Sequence, residues 1–396
     1  MGEAPTISPM AGPLADLVVL DLTRALAGPH CAQMLGDLGA RVIKVETPDG
    51  GDDSRSWGPP FVGPDEDIST YFLSCNRNKE SVTADLKTDT GRDFLTRLIR
   101  RADVLIENFR TGVMDRLGFS VERLSEINPL LVVLSITGFG HDGPQGGRPG
   151  YDQIAQGEGG IMSITGTDAD HPQRVGVPIA DLLAGMYGAY GILAALHERE
   201  RTGRGSVVRT SLLAAMVGVH AFQGTRYTVA GEVATAQGNH HPAITPYGAF
   251  ATADGTVQLS VGSQALWGKF APLVRLDPAD SRFATNTART ARRDELIVLI
   301  EAVFAEGTSE HWLAELERIG VPAGAIRTLQ QVYDWDQTVS QGLIVNVQHP
   351  VLGSISLPGP PLRFDGAETV EHRPPPVLGE HNDSVRAWLD QGRAAR

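Results

Sequence analysis

After a loose stretch over residues 1–11, an unbroken apolar run at 17–20 opens the regular pattern of the chain. A short run without polar alternation predicts a strand buried on both faces. Ala27-Gly28-Pro29 then opens a helix, with Pro29 near its first position and Cys31, Met34 and Leu35 on the inward side. Gly39 ends that helix, and residues 41–46 predict the next strand. Strand, helix and strand in this order form a βαβ unit, which implies a parallel sheet. The alternation continues with a strand at 81–86, an amphipathic helix at 90–102 that turns Phe94, Leu95, Leu98 and Ile99 inward, and a buried strand at 103–109. A helical stretch at 112–127 is broken at Gly118, where Ser120 can cap the second part, and strands follow at 130–137 and 206–212. The pattern predicts an α/β fold: a Rossmann-like doubly wound domain over residues 1–224.

Between those last two strands lies the stretch around which the chemistry gathers. Gly150-Tyr151-Asp152 leads into a glycine-rich loop with Gly157, Gly159 and Gly160. Pro178-Ile179-Ala180-Asp181 then enters a helix whose Ala184, Gly185, Gly188, Ala189 and Ile192 recur at the three- and four-residue spacing of one face. Asp181 reads locally as the N-cap of that helix. The same place would suit a nucleophilic or basic carboxylate, with backbone N–H groups near the three glycines to hold an oxyanion. Residues 213–229 predict one further helix, and 225–330 a smaller α+β domain. That domain has a hairpin turning at Asp254-Gly255, helices at 266–274 and 292–304, and a helix capped by Thr308. Short strands from Gly342, a proline linker at 374–376 and a helix at 382–389 close the chain.

Charge narrows the functional classes. With 396 residues and a net charge of −13, the chain lacks the basic face that nucleic-acid binding needs. No apolar run of about 18 residues suggests a membrane span, so a cytoplasmic protein is expected. Cys31 and Cys75 form no paired-thiol motif, and the adjacent His240 and His241 lack a third ligand at useful spacing, so no metal is expected. The loop after the first strand is Thr23-Arg-Ala-Leu-Ala-Gly-Pro29 rather than G-x-G-x-x-G, which argues against NAD. An anionic small ligand fits if cations gather locally, and Arg24, Lys44, Arg77, Lys79 and Arg116 stand near predicted strand ends.

A set of ordered motifs carries a family resemblance: Asp21-Leu-Thr23 with Ala27-Gly28-Pro29, Leu38-Gly-Ala-Arg-Val-Ile-Lys-Val-Glu46, Asn76-Arg-Asn-Lys79, Glu107-Asn-Phe109 and Asp115-Arg-Leu-Gly118. Gly150-Tyr-Asp152, Ala180-Asp181, Arg201-Thr-Gly-Arg-Gly205, Thr252-Ala-Asp-Gly255 and Leu378-Gly-Glu-His381 continue it. In their order and spacing these resemble the class III CoA-transferases, a group that also contains 2-methylacyl-CoA racemases. The resemblance implies coenzyme A as part of the substrate, an acyl-CoA donor, a carboxylic acid acceptor, and two chains interlocked as a homodimer. It implies that residues 331–396 return to complete the large domain. Asp181 matches the family's catalytic aspartate and Tyr151 its active-site tyrosine. Arg116 with Leu117 matches CoA contacts, Ala27 lies in the matching first loop, and Asn76, Arg77 and Lys79 lie in the region that holds the nucleotide end.

Departures from the pattern guide specificity. Arg24 and Leu26 stand where the formyl-CoA enzyme has His and Gln, and Gly238-Asn-His-His-Pro242 replaces its run of four glycines, so formyl and oxalate substrates are not expected. The racemases carry His at the position of Tyr151 and a glutamate about where Gln264 stands. A phenol is a poor base near neutral pH, which favours transfer over racemisation. A CoA-binding protein without catalysis is the third reading, and the intact Asp181 speaks against it. Arg148, Arg174, His240 and Tyr247 are the expected partners for a second carboxylate, as a dicarboxylate would need.

Overall fold

The apolar runs become adjacent strands of a single parallel sheet. In the computed structural model, described over residues 11–365 and 370–391, these strands are β1 (Val18–Asp21), β2 (Arg41–Glu46), β3 (Lys79–Thr83), β4 (Val104–Glu107), β5 (Val132–Thr137) and β6 (Val207–Ser211). They lie in the order β3-β2-β1-β4-β5-β6. Leu20 of β1 pairs with Ile43 on one side and Leu105 on the other. The chain therefore starts mid-sheet, runs outward to β3, and returns to build the other half from β4. Between β1 and β4 the winding reverses, and open α/β sheets bind ligands at that crevice, beyond the C-terminal strand ends. All residues of β4 and β5 are buried, which accounts for their unalternating sequence.

Helices cover the sheet. They are α1 (Ala27–Asp37), α2 (Asp89–Ile99), α3 (Val121–Ile127), α4 (Asp152–Glu158), α5 (Ile179–Thr202), α6 (Leu212–Gly218) and α7 (Ala221–Ala230). Phe94, Leu95, Leu98 and Ile99 of α2 face the core as their spacing requires, and Ser120 caps α3 by accepting from the Arg123 N–H. The single helix expected over 213–229 is split: Ala221 takes a φ of +47°, which no α-helix passes through, so α6 and α7 are separate.

The small residues of α5 serve close packing. A Cβ on Gly185 would lie 2.6 Å from the Ala27 carbonyl oxygen at the start of α1, and one on Gly188 would lie 2.6 Å from a Leu134 methyl on β5. α5 has the length and composition to cross a membrane, with an 18-residue window of mean hydropathy 1.5. Its Ala184, Gly185, Gly188, Ala189 and Ile192 are nonetheless buried inside the protein.

Contacts divide the chain into two units, the larger holding the described residues up to Ile161, Val175–Ala230 and those from Gln337 onward. The other unit holds Met162–Arg174 and Gly231–Asp336, so it takes in a short segment ahead of α5 as well as the region near 225–330. In it β7 (Tyr247–Ala251), β8 (Thr256–Ser260) and β9 (Ala323–Ala325) form an antiparallel sheet. α8 (Gln264–Leu273), α9 (Arg293–Phe304) and α10 (Ser309–Ile319) pack with that sheet around Trp267, Phe270, Phe304 and Trp312. In the larger unit, β10 (Ile344–His349) and β11 (Gly353–Pro358) form a hairpin. α11 (Asn382–Asp390) then sends Val385 and Leu389 into the same core as Val82 and Leu95. The α11 entry is pinned to β3, where the Asn382 side chain accepts the Thr83 N–H at 2.8 Å.

Candidate active site

At the crevice beyond β1, β2, β4 and β5 lies a cavity of about 1060 Å³, bordered by Arg24 and Ala27 after β1, Thr47 after β2, Asn108 after β4 and Gly138 after β5. Tyr151, Asp152 and Asp181 stand on its wall. The sheet's topology thus selects the position, and two helix starts, those of α4 and α5, supply Asp152 and Asp181.

Asp181 is the third residue of α5, and Pro178, not Asp181, occupies the N-cap. The capping expected of Asp181 is performed from another element. Asp152, at the first position of α4, accepts the Ala180 N–H at 2.8 Å and the Asp181 N–H at 3.4 Å through one oxygen, Oδ1. The Asp181 side chain is thereby released from its local duty and offered to the cavity. Burial first, and then the negative charge of Asp152, push its carboxyl up from an ordinary 3.8 to about 7. Tyr71 stands on the same wall, edge-on to Trp57 at 5.0 Å. Its phenol is pushed up by burial and, among charges, most by Asp181.

A carboxylate held without a counter-charge in a cleft is a functional-site signal in its own right. The model of the family described as CoA-transferase family III matches residues 14–382. The chain belongs to CoA-transferase family III. It is an enzyme of CoA transfer, and its relatives span it almost end to end. A mouse protein named succinyl-CoA:glutarate CoA-transferase is 39% identical over 375 residues, covering 94% of this chain and 85% of its own. A succinate–glutarate CoA-transferase of Agrobacterium fabrum is 39% identical over 390 residues, 96% of each chain. A crystal structure of a CaiB/BaiF family protein from Brucella suis superposes with a TM-score of 0.85 at 42% identity, covering 96% of this chain and all of the other.

In this family III CoA-transferase the structure brings together some of the residues singled out by sequence and separates others. Asp181, Tyr151, Arg24, Ala27 and Leu117 line the cavity. Tyr151 is 68% exposed there. Lys44, Asn76, Arg77 and Lys79 do not line it; all four are buried. Lys44 sits 2.8 Å from Asp52 and 3.6 Å from Asp21, and donates to the Thr23 carbonyl. Lys79 binds Asp21 at 2.9 Å and donates to the Pro29 carbonyl and the Asn76 side chain. Arg77 grips Asp37 with two donors. A fully buried ammonium must be neutralised on the spot, and for Lys44 and Lys79 the carboxylates Asp21 and Asp52 beneath the first loop do this. Arg116 is exposed on the single turn Val113–Arg116 and lies off the wall, which its neighbour Leu117 joins.

The glycine expectation is corrected as well. Gly157, Gly159 and Gly160 lie at the C-terminal end of α4, whereas its N-terminal end meets the cavity. A Cβ at Gly159 would strike Met216 at 2.5 Å, so that glycine allows α4 to approach α6. Gln264 is tied to the Ala284 carbonyl within the smaller unit, to which Arg174, His240 and Tyr247 also belong. Two cations on the wall, Lys87 and Arg110, had no motif to mark them, and with Arg24 and Arg148 they give the cavity four. Arg148 also pairs with Glu158 at 2.7 Å and covers the Phe139 ring.

Proposed function

We propose that the enzyme moves CoA between two carboxylic acids through covalent intermediates on Asp181. A single observation carries this reading: the only carboxylate at the start of α5 faces the cavity, released from capping and lifted in pKa by burial and Asp152. In the first step an Asp181 oxygen attacks the donor thioester carbonyl and the C–S bond breaks, giving a mixed anhydride and CoA thiolate. The thiolate then attacks the aspartyl carbonyl, expelling the donor carboxylate and leaving an aspartyl-CoA thioester. The acceptor carboxylate attacks that thioester, and the thiolate released attacks the acceptor's acyl carbon, which restores the Asp181 carboxylate. Tyr151 presents a hydroxyl to the carbonyl oxygen on which charge develops. Arg24, Lys87, Arg110 and Arg148 supply cations for the phosphates of CoA and for a second carboxylate on the acyl group.

Dicarboxylates are the substrate class we favour, succinyl-CoA as donor and glutarate as acceptor, in keeping with the names of the mouse and Agrobacterium relatives. The working form is a homodimer. Met186, Tyr190 and Leu193 on α5 and Val217 on α6 are large, apolar and exposed, a surface that a second chain would cover. Incubation with succinyl-CoA should leave a hydroxylamine-sensitive CoA adduct on the Asp181 peptide, read by mass spectrometry. Absence of that adduct, together with α-proton exchange of a 2-methylacyl-CoA in deuterated water, would replace transfer by racemisation. Equal rates with propionyl-CoA and succinyl-CoA would remove the dicarboxylate preference.

A further inference from the structure

Asp152 is bound on both of its oxygens. Oδ1 takes the two N–H groups that open α5, and Oδ2 accepts from the Gln156 side chain at 2.7 Å. Gln156 lies one helical turn further along α4 and is fully buried. With its own oxygen it accepts the Val175 N–H at 2.9 Å, and its amide nitrogen lies 3.5 Å from the Val177 carbonyl. The two side chains together clasp the strand of chain that enters α5, from Val175 to Asp181. The residue before Asp152 is Tyr151, the N-cap of α4, so the entry of one helix holds both an exposed phenol of the cavity and the brace of Asp181.

We propose that Asp152 is a positioning residue for the transfer reaction: anchored by Gln156, it fixes the first turn of α5 and sets the charge environment of the Asp181 carboxyl. This rests on Asp181 being the reacting group. The arrangement does two opposed things. By accepting the N–H groups of the first turn, Asp152 removes donors that would otherwise stabilise a carboxylate at this helix start. By bringing its own negative charge to the same turn, it disfavours ionisation of Asp181, in the direction that burial also acts. The other charged and titratable groups on the surrounding wall are the acids Glu46, Asp49, Asp53 and Asp85, the cations Arg24, Lys87, Arg110 and Arg148, and the phenols of Tyr71 and Tyr151. Arg24 is 3.5 Å from Asp53 and Arg148 is paired with Glu158, so both of these guanidinium groups have carboxylates of their own. The result is a nucleophile of higher basicity than a free aspartate.

The test reads the Asp181 carboxyl itself. Carbodiimide with glycine ethyl ester couples to carboxyl groups in their protonated state, and the Asp181 peptide is quantified by mass spectrometry across pH. Wild type should lose labelling with a midpoint near pH 7. Asp152→Asn keeps an oxygen to accept the Ala180 N–H but removes the charge, and should move the midpoint down by about one pH unit or more. An unchanged midpoint would overturn the proposal. Should Asp152→Asn fold poorly, Asp152→Asn with Gln156→Glu restores the side-chain bond with its polarity reversed and places the charge one turn away. Its midpoint should also fall below that of wild type, and equality with wild type would equally overturn the proposal. Because labelling needs no turnover, failure of succinyl-CoA to form an adduct on Asp181 would count against the transferase mechanism alone.

Discussion

Asp21 and Asp181 are the same residue in the same unit, one buried at the end of β1 and one on the cavity wall, and their surroundings drive them in opposite directions. At the end of β1, burial alone would raise the Asp21 carboxyl. Lys44 and Lys79 outweigh it, with the Thr23 hydroxyl donating as well, and bring it down to about 2. At the start of α5, burial raises Asp181 to about 7, and the nearest charge, Asp152, adds to the shift. The first carboxylate is a fixed anion that organises cations and loop carbonyls. The second can exist in either form near neutral pH. Position in the sheet is common to both, so what separates scaffold from reagent is the presence or absence of a counter-ion.

Breaking the comparison at its reactive side should have the largest effect. Asp181→Asn should lower succinyl-CoA consumption by at least about 10⁴-fold, measured by chromatography of the CoA thioesters, because no second nucleophile replaces it. The same variant should be more stable above neutral pH. With a folded pKa near 7 against an ordinary 3.8, the native state binds more protons than the unfolded state between those values. The contribution of Asp181 to stability therefore falls as pH rises from about 4 to 7, and Asp181→Asn should recover on the order of 1–3 kcal/mol at about pH 8 in denaturant titrations, with the gain vanishing near pH 4.

At the scaffold side, Asp21→Asn leaves two buried ammonium groups short of a charge and should cost about 3–5 kcal/mol of unfolding free energy. The sign with pH is the reverse: stabilisation by Asp21 is fully present above its ordinary 3.8 and is lost as pH falls toward about 2. Gly185→Ala pushes a Cβ onto the Ala27 carbonyl and should lower stability by about 1–3 kcal/mol, seen as a reduced melting temperature. The smallest expected effects belong to the wall cations. Lys87→Ala and Arg110→Ala should each raise KM for acyl-CoA by about three- to tenfold, less at high salt, while Arg116→Ala should leave KM within about twofold.

The sheet was legible because strands buried on both faces print as apolar runs, as 17–20 and most of 130–137 do, while 41–46 was read from its place after the Gly39 helix end. Asp181 was legible as a place of interest but misread as a cap, since the true cap, Asp152, stands 29 positions earlier and only folding joins them. Lys44 and Lys79 show their charge in sequence but not their partners: Asp21 and Lys79 are 58 positions apart. Lys87 and Arg110 went unnoticed because a loop cation carries no periodicity to reveal which way it faces. The three glycines were read as flanking an oxyanion site, but what a Cβ at Gly159 would meet is Met216 of α6.

The contact of Gly185 with the Ala27 carbonyl has a mechanical side. Four residues after Asp181, α5 rests directly on the start of α1, with no side chain between them to act as a cushion. Lys44 and Asp52 hold the intervening loop to the sheet through the Thr23 carbonyl and the Ala25 N–H. Asp181 and the Arg24–Ala27 rim are thus mounted on elements in direct contact, so that a shift of the first loop is passed on to the turn that carries Asp181.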